Sequence, residues 1–594
     1  MDGHLQRGGT RTAHAGRHGG DHRFGAWPRA RLRAQEGREQ RRDPARPFAA
    51  ARIDRYRRLR AVPRGHPPHD RGRTRMTSNT GRSWKPGADA LDLPTRFQAE
   101  FGRPLRVLHI GNIANYAFVN ARLQRRAGVD ADCIDPNFFH IMACPEWLDA
   151  PIEGDHGDDF APKWSRVSLG GYTRPAWFIQ GDEELAFRYL AAKNANREDE
   201  RRKLLRQIEA HARAYAKDVP LPDGLLEALL KSEHPLMRRL RAGANRFLRR
   251  GRITPALADA PTAERAHRIP PPAEVVAYMH RAPIFRAVLE QYDLIQGYTV
   301  QGVYPAASGL DNFLSYELGT IRGLPFEDSP MGRLTRWVYE MSPEVFVTNT
   351  DCMPAAERMG LDMGHVHKAL HAFDVEDAIA FAAAWREPEP AGPPVFYAPA
   401  RQHWKHGNDS ILKGNDVAIR GAAILRERGH DFRLVLGEWG AEVDLSKALI
   451  AELGVGDRIG WTKPLPRHKL WPTFLRARAV VDQFRSPAFG GVSLEALALG
   501  KRLITGYDHG TGSAYFSEPP PIMNCRTPEQ VADAMEACLR DPTDSAGLGA
   551  AAQGWMRREH GQERQMRDQF SVYEALLGRL SHDGRTWRAP QTLG

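Results

Sequence analysis

Cysteine is scarce: five residues in 594, at 133, 144, 352, 525 and 538, with no Cys-x2-Cys pair. That pattern excludes a disulfide framework and a cysteine-built zinc site. Long apolar runs are missing too. No stretch approaches the ~18–20 residues that a transmembrane helix needs, and no apolar segment follows the basic start as a signal peptide requires. The cytoplasm is the expected compartment, with the inner face of the membrane as a peripheral alternative. No Gly-x4-Gly-Lys-Ser/Thr loop and no His-Glu-x2-His pair occurs, so neither the P-loop nor that zinc-protease motif is present. His365, His367 and His371 cluster, but their spacing and loop setting predict solvent-facing side chains rather than ligands. No metal and no cofactor is expected.

Lysine is absent from residues 1–75, which hold 20 Arg against 7 acidic residues. The formal charge of +12 lies in that segment, because the rest of the chain is within one charge of neutral. Net charge therefore gives no reason to expect a nucleic-acid partner for the body of the protein. Segment 1–75 has few aliphatics and no periodic apolar face. It reads as a disordered basic extension, or as sequence upstream of a true start at Met76, and the second is the expectation. A hydrophobic share of 42% in a chain this long predicts two or three domains with proper cores.

From Pro104 the pattern alternates. Leu105–Ile110 is an apolar run ending in Gly111-Asn112, Phe118–Ala127 is helical, and Ala131–Asp135 is strand-like. That is the opening βαβ of a doubly wound parallel sheet. Further apolar runs at Leu294–Gly297, Phe313–Tyr316 and Val345–Thr348 extend it. A first domain over 81–385 follows, interrupted by a helical insertion at 182–272. Within that insertion Leu236–Arg252 carries seven Arg and no acid. It is either a surface for peripheral membrane contact or a solvated helix, and Pro235 and Gly243 favour the second. After the proline-rich linker Pro388–Pro394 a second alternating series begins, giving a domain over 394–550. A long amphipathic segment, 551–582, closes the chain.

Three short segments carry chemistry. The strand Ala479–Phe484 runs into Phe489-Gly490-Gly491, after which a helix bears Glu495 near its start. A turn that opens a helix offers free N–H groups and the positive end of a dipole to an anion. Behind the strand Val395–Pro399 stand Arg401, Lys405 and Lys413-Gly414, cations suited to a departing diphosphate. Tyr316-Glu317-Leu318-Gly319-Thr320-Ile321-Arg322 ends a strand of the first half, where Glu317 and Arg322 are either site residues or an ion pair.

Glu495-Ala496-Leu497-Ala498-Leu499-Gly500 resembles the second half of the Glu-x7-Glu motif of family 4 (group 1) retaining glycosyltransferases with the GT-B fold. Pro487 stands where the first glutamate would fall, as in a divergent branch whose strand ends like Asp482-Gln483. Leu318 stands where the family has a His before Gly. The resemblance implies two Rossmann-like domains facing a cleft, with 551–582 crossing back to the first. It implies a nucleotide-sugar donor, a glycan or lipid-linked acceptor and metal-independent transfer with retention, most often in polysaccharide synthesis. It assigns Arg401 and Lys413 to the diphosphate, with Lys405 as a rival for the lysine role. Glu317 joins them as a catalytic candidate. Glu495, Gly490, Gly491, Gly414 and Arg322 fall to the donor, Gly111 and Asn112 to the acceptor side. A degenerate sugar-nucleotide binder and a sugar-nucleotide epimerase of the same fold remain as alternatives.

Overall fold

Two parallel sheets organise the chain, and each has its first strand near the middle. The computed structural model describes residues 84–215, 269–387, 390–407, 412–486 and 488–582. Segment 1–75, Leu236–Arg252 and Pro487 lie outside the described residues. The first sheet contains β1 (Arg106–Ile110), β2 (Asp130–Pro136), β5 (Phe178–Gly181), β6 (Leu294–Tyr298), β7 (Phe313–Glu317), β8 (Val345–Val347) and β9 (Val366–Lys368). A two-stranded hairpin, β3 (Gly157–Asp158) with β4 (Ala161–Pro162), stands apart from it. The second sheet contains β10 (Val395–Ala398), β11 (Arg433–Gly437), β12 (Ile459–Thr462), β13 (Ala479–Val481), β14 (Leu503–Thr505) and β15 (Met523–Asn524).

The spatial orders are β5-β2-β1-β6-β7-β8-β9 and β12-β11-β10-β13-β14-β15. Every residue of β6 and β7 is buried, as expected where helices cover both faces of a parallel sheet. Winding reverses between β1 and β6 in one lobe and between β10 and β13 in the other. In such sheets the ligand crevice opens beyond the carboxyl ends of the strands at the reversal. This is the two-lobed α/β architecture of GT-B type expected from the sequence. It puts the loops after β1, β10 and β13 at the two crevices.

The insertion begins with two helices, Glu183–Asn194 and Glu198–Tyr215, and 216–268 lies outside the described residues. Between β2 and β5 sits a segment with no clear periodicity. It has its own small core of Ile141, Trp147, Ala150 and Ile152, and its Glu153 accepts from Lys469 of the second lobe at 3.2 Å.

The return to the first lobe starts later than residue 551. Leu548–His560 stays on the second lobe against the helix Gly491–Ala498, and only Gln562–His582 crosses over. Met566, Phe570, Tyr573, Leu576 and Leu577 then join the first lobe's core. At ~1.5–3 kcal/mol for each large apolar side chain buried, that face fastens the helix. A buried polar relay adds register: Gln124 Nε2 donates to Gln569 Oε1 (2.9 Å) and to Tyr573 Oη (2.8 Å), and Tyr573 donates to Gln296 Oε1 (2.7 Å). Among the described residues no helix is long and apolar enough to cross a membrane.

Candidate functional site

The loop after β10 is held from beneath by one carboxylate. Glu442, itself buried, accepts from the backbone N–H groups of Trp404, Lys405 and His406 and from His406 Nδ1. Burial works against its charge, yet these bonds keep its carboxyl below the usual range. Gln402 ties the same loop to Gly437. The result fixes the backbone of the loop that follows Arg401.

Lys413 is half-buried, and its ammonium donates to Gln483 Oε1 at the end of β13. Burial and the neighbouring Arg401 push its pKa down to about 8, with Asp482 pulling the other way. Arg401 is held below its ordinary value by burial. Gly414 follows with φ of 73°, a left-handed conformation that lets the chain turn straight into the helix Asn415–Glu427. A Cβ there would stand 3.0 Å from Arg485 Cγ. Lys405 goes elsewhere. It lines a concavity of about 490 Å³ with Trp404, Leu412, Arg420 and Glu452, which contains none of Arg401, Lys413, Gly490 or Glu495. Lys413, by contrast, stands near Arg401 and the turn after β13.

Beyond β13 the chain turns into the helix Gly491–Ala498, capped by Gly490 in extended conformation. Asp482 and Gln483 approach this turn from below. Ser493 Oγ donates to Asp482 Oδ2 at 2.5 Å, and Gln483 Nε2 donates to Ala488 O. Gln483 thus joins Lys413 to the glycine turn through its two ends. One turn along, Glu495 is half-buried, and its Oε1 accepts from Trp471 Nε1 at 3.2 Å. Burial raises its pKa, opposed by Arg467, whose guanidinium lies over the Trp471 ring at 4.7 Å. Arg467 also reaches Asp377 (3.4 Å) and, in the first lobe, Asp149 (3.9 Å).

The first lobe supplies the opposite wall. Gly111 (φ 92°) leads into a loop whose Asn112 side chain is fully employed. Its Nδ2 donates to Asn115 Oδ1 (2.9 Å) and Ala143 O (2.7 Å), and its Oδ1 accepts from the Phe118 N–H (2.9 Å). Asn112 shapes the loop rather than presenting itself to an acceptor. Glu317, expected to be catalytic, is fully buried, and its Oε1 accepts from the N–H groups of Gly319 (2.6 Å) and Ile321 (2.8 Å). It builds the turn and does not face solvent. Arg322 makes two 2.6 Å hydrogen bonds to Asp351 and lies within electrostatic range of Lys413 across the cleft. The histidine expectation fails for His371. It is buried, its ring stacks on Tyr116 at 4.9 Å, and burial with His560 nearby pushes its pKa down to about 3. His365 and His367 both turn to the buried Glu344.

The chain's one Asp-x-Asp, Asp130-Ala131-Asp132, lies along β2, where Lys193 takes Asp132 and Arg125 takes Asp130. Among the described residues no cluster of three or more His, Cys, Asp or Glu side chains is arranged for a metal ion. Arg401, Lys413 and Gly414 follow β10, and Gly490, Gly491 and Glu495 follow β13, its neighbour in the sheet. That arrangement can bind a doubly charged anion at two cations and a helix amino end, with a carboxylate one turn away for hydroxyl groups.

Residues 406–555 match the family Glycosyl transferases group 1. The matched stretch is most of the second lobe, and it contains Lys413, Gly414, Gly490, Gly491 and Glu495. Over 158 residues the chain is 30% identical to a D-inositol 3-phosphate glycosyltransferase of Frankia alni, covering 25% of this chain and 39% of that protein. A counterpart in Pseudarthrobacter chlorophenolicus is 31% identical over 162 residues, with the same two coverages. The chain thus spans about two-fifths of the length of the curated relatives it matches. Among solved structures, a glycosyltransferase from Rickettsia africae aligns with 80% of this chain and 99% of its own at 10% identity and a TM-score of 0.44.

Tyr116, Trp471 and Arg467 are the neighbours of the glycine turn and Glu495 that sequence reasoning missed. Trp471 and Arg467 share one helix, Arg467–Arg476, and an i, i+4 Arg–Trp pair is a signal the sequence does carry.

Proposed function

We propose that the protein is a metal-independent, retaining glycosyltransferase of family 4 that moves a sugar from a nucleotide donor to an acceptor hydroxyl. The observation that carries this reading is that Gln483 joins Lys413 to the turn before Gly491–Ala498, with Arg401 close enough to act on the Lys413 charge, in a lobe that matches the group 1 family. Arg401, Lys413 and the amides at Gly490-Gly491 hold the donor's diphosphate, and Glu495 holds the ribose. Glu317 and the Arg322–Asp351 pair form the wall opposite rather than reacting groups. As the bond from sugar to phosphate breaks, its electron pair passes to the diphosphate, whose charge the two cations stabilise where it forms. The acceptor hydroxyl attacks from the same face and gives its proton to the leaving phosphate. The protein's contribution is position and charge. The acceptor is a glycan or lipid-linked hydroxyl in polysaccharide or glycoconjugate synthesis.

Thermal shift with UDP, GDP, ADP and their common sugar conjugates tests this directly. At 100 times its Kd, the cognate nucleotide is expected to raise apparent stability by about 2.7 kcal/mol. A panel that leaves the melting temperature unmoved would sink the reading. Binding with no release of nucleoside diphosphate would favour the degenerate binder, for which Pro487 in place of the first glutamate speaks.

Lys413 sets a pH dependence. With a pKa near 8 in the free protein, its charge is present below that pH and lost above it. Bound diphosphate raises that pKa, so affinity for UDP or its cognate counterpart falls by up to about tenfold per pH unit above 8. Stability of the free protein moves the other way. Between pH 8 and the ordinary lysine pKa of ~10.4 the unfolded chain binds more protons than the native one, so this contribution to stability rises with pH. Isothermal titration from pH 7 to 9.5 checks the first, and melts of the free protein over the same range check the second.

A further inference from the structure

The loop after β1 carries an unusual run. Ala114 (φ 50°) and Asn115 (φ 61°) are consecutive non-glycine residues in the left-handed region, two positions after Gly111-Asn112. Such a conformation persists only where its surroundings impose it. Here Asn115 Nδ2 donates to Met142 O (2.8 Å) and Cys144 O (3.0 Å), and Asn112 braces Asn115. The outcome is the aim of Tyr116, the next residue and the first of the helix Tyr116–Arg126.

Its ring lies against His371 at 4.9 Å and 29°. Its hydroxyl reaches across the cleft to the second lobe and stands 3.9 Å from where a Cβ on Gly491 would be. Gly491 opens the helix proposed above to take the diphosphate, and Glu495 lies close enough to act on the phenol electrostatically. Among the described residues the Tyr116 hydroxyl has no hydrogen-bond partner. Burial and the Glu495 carboxylate both keep its proton in place, so it is a donor.

We infer that Tyr116 is the first lobe's contact with the leaving diphosphate: its hydroxyl donates a hydrogen bond to a phosphate oxygen seated at the amino end of Gly491–Ala498. The inference rests on the glycosyltransferase reading. When the bond from sugar to phosphate breaks and its electron pair moves to the diphosphate, that hydrogen bond strengthens while the phenol keeps its proton. The proton released in transfer comes from the acceptor hydroxyl and goes to the phosphate. Because every other diphosphate contact comes from the second lobe, Tyr116 makes charge stabilisation conditional on both lobes standing together.

The test is Tyr116→Phe, which keeps the ring on His371 and removes only the oxygen. Wild type and variant are compared with UDP-glucose, UDP-N-acetylglucosamine and GDP-mannose by release of nucleoside diphosphate, and both are melted with UDP and with GDP. The expected result is a kcat lower by about 10- to 100-fold with a donor KM changed less than about threefold. The melting temperature without ligand should stay within about 2 °C of wild type. A variant that releases nucleoside diphosphate at the wild-type rate overturns the role of Tyr116 and leaves the glycosyltransferase reading standing. Wild-type protein stabilised by neither nucleotide and inert to all three donors overturns both.

Discussion

Lys413→Met is expected to release nucleoside diphosphate about 100- to 1,000-fold more slowly than the wild type while melting at the same temperature or higher. The two halves of that result have one cause. The ammonium is half-buried beside Arg401, and the free protein bears the cost of desolvating two like charges in one place. Methionine keeps most of the stem and removes the charge. It loses the bond to Gln483 Oε1, but Gln483 retains its bond to Ala488 O, so the glycine turn stays in register. In the proposed transfer the balance inverts, because the diphosphate gains charge at the moment the cation is needed. Lys405→Met serves as the control. Lys405 lies on the other side of the loop and contributes only its backbone N–H to Glu442, so turnover should remain within about threefold of wild type. Donor-release kinetics and a melt on all three proteins decide it, and a Lys413 variant that turns over normally removes the cation from the mechanism.

The sheet strands announced themselves because parallel strands buried on both faces must be short apolar runs, as Phe313–Glu317 and Ala479–Val481 are. Gly490-Gly491 and Lys413-Gly414 were legible as helix openings for a related reason: each stands where a loop that follows a strand enters a helix. What stayed hidden lies between elements far apart in sequence. Glu317 reads as a free carboxylate at the end of an apolar run, yet Gly319 and Ile321 fold back to bond it, a decision made over four residues by local backbone geometry. His371 reads as a loop histidine because nothing nearby in sequence covers it. His560, 189 residues further on, and Tyr116, at the start of the helix Tyr116–Arg126, do so. The crossover point was misplaced for the same reason. Both terminal helices are amphipathic, and only their partners, the helix Gly491–Ala498 for one and Gln124 and Gln296 for the other, distinguish them. The segment between β2 and β5 escaped because its core is four residues with no periodicity.

Glu495→Ala should separate ribose recognition from phosphate recognition. Burial raises the carboxyl's pKa, Arg467 and the bond from Trp471 to one oxygen oppose that rise, and the other oxygen is left for a ligand. Hydrogen bonds from ribose hydroxyls to a charged acceptor contribute about 1.5–3 kcal/mol in all if one bond dominates, so affinity for UDP or GDP is expected to weaken by about 10- to 100-fold. Inorganic pyrophosphate has no ribose, and its affinity should change by less than about threefold. Lys413→Met should weaken both ligands together, because its cation meets the part they share. The contrast between the two variants, read by calorimetric titration of each protein with each ligand, is sharper than either alone. If Glu495→Ala weakens pyrophosphate as much as the nucleotide, the carboxylate acts on the helix end and the glycine turn rather than on a sugar. Arg467 then becomes the more informative residue, because it acts electrostatically on Glu495 and reaches Asp149 of the opposite lobe.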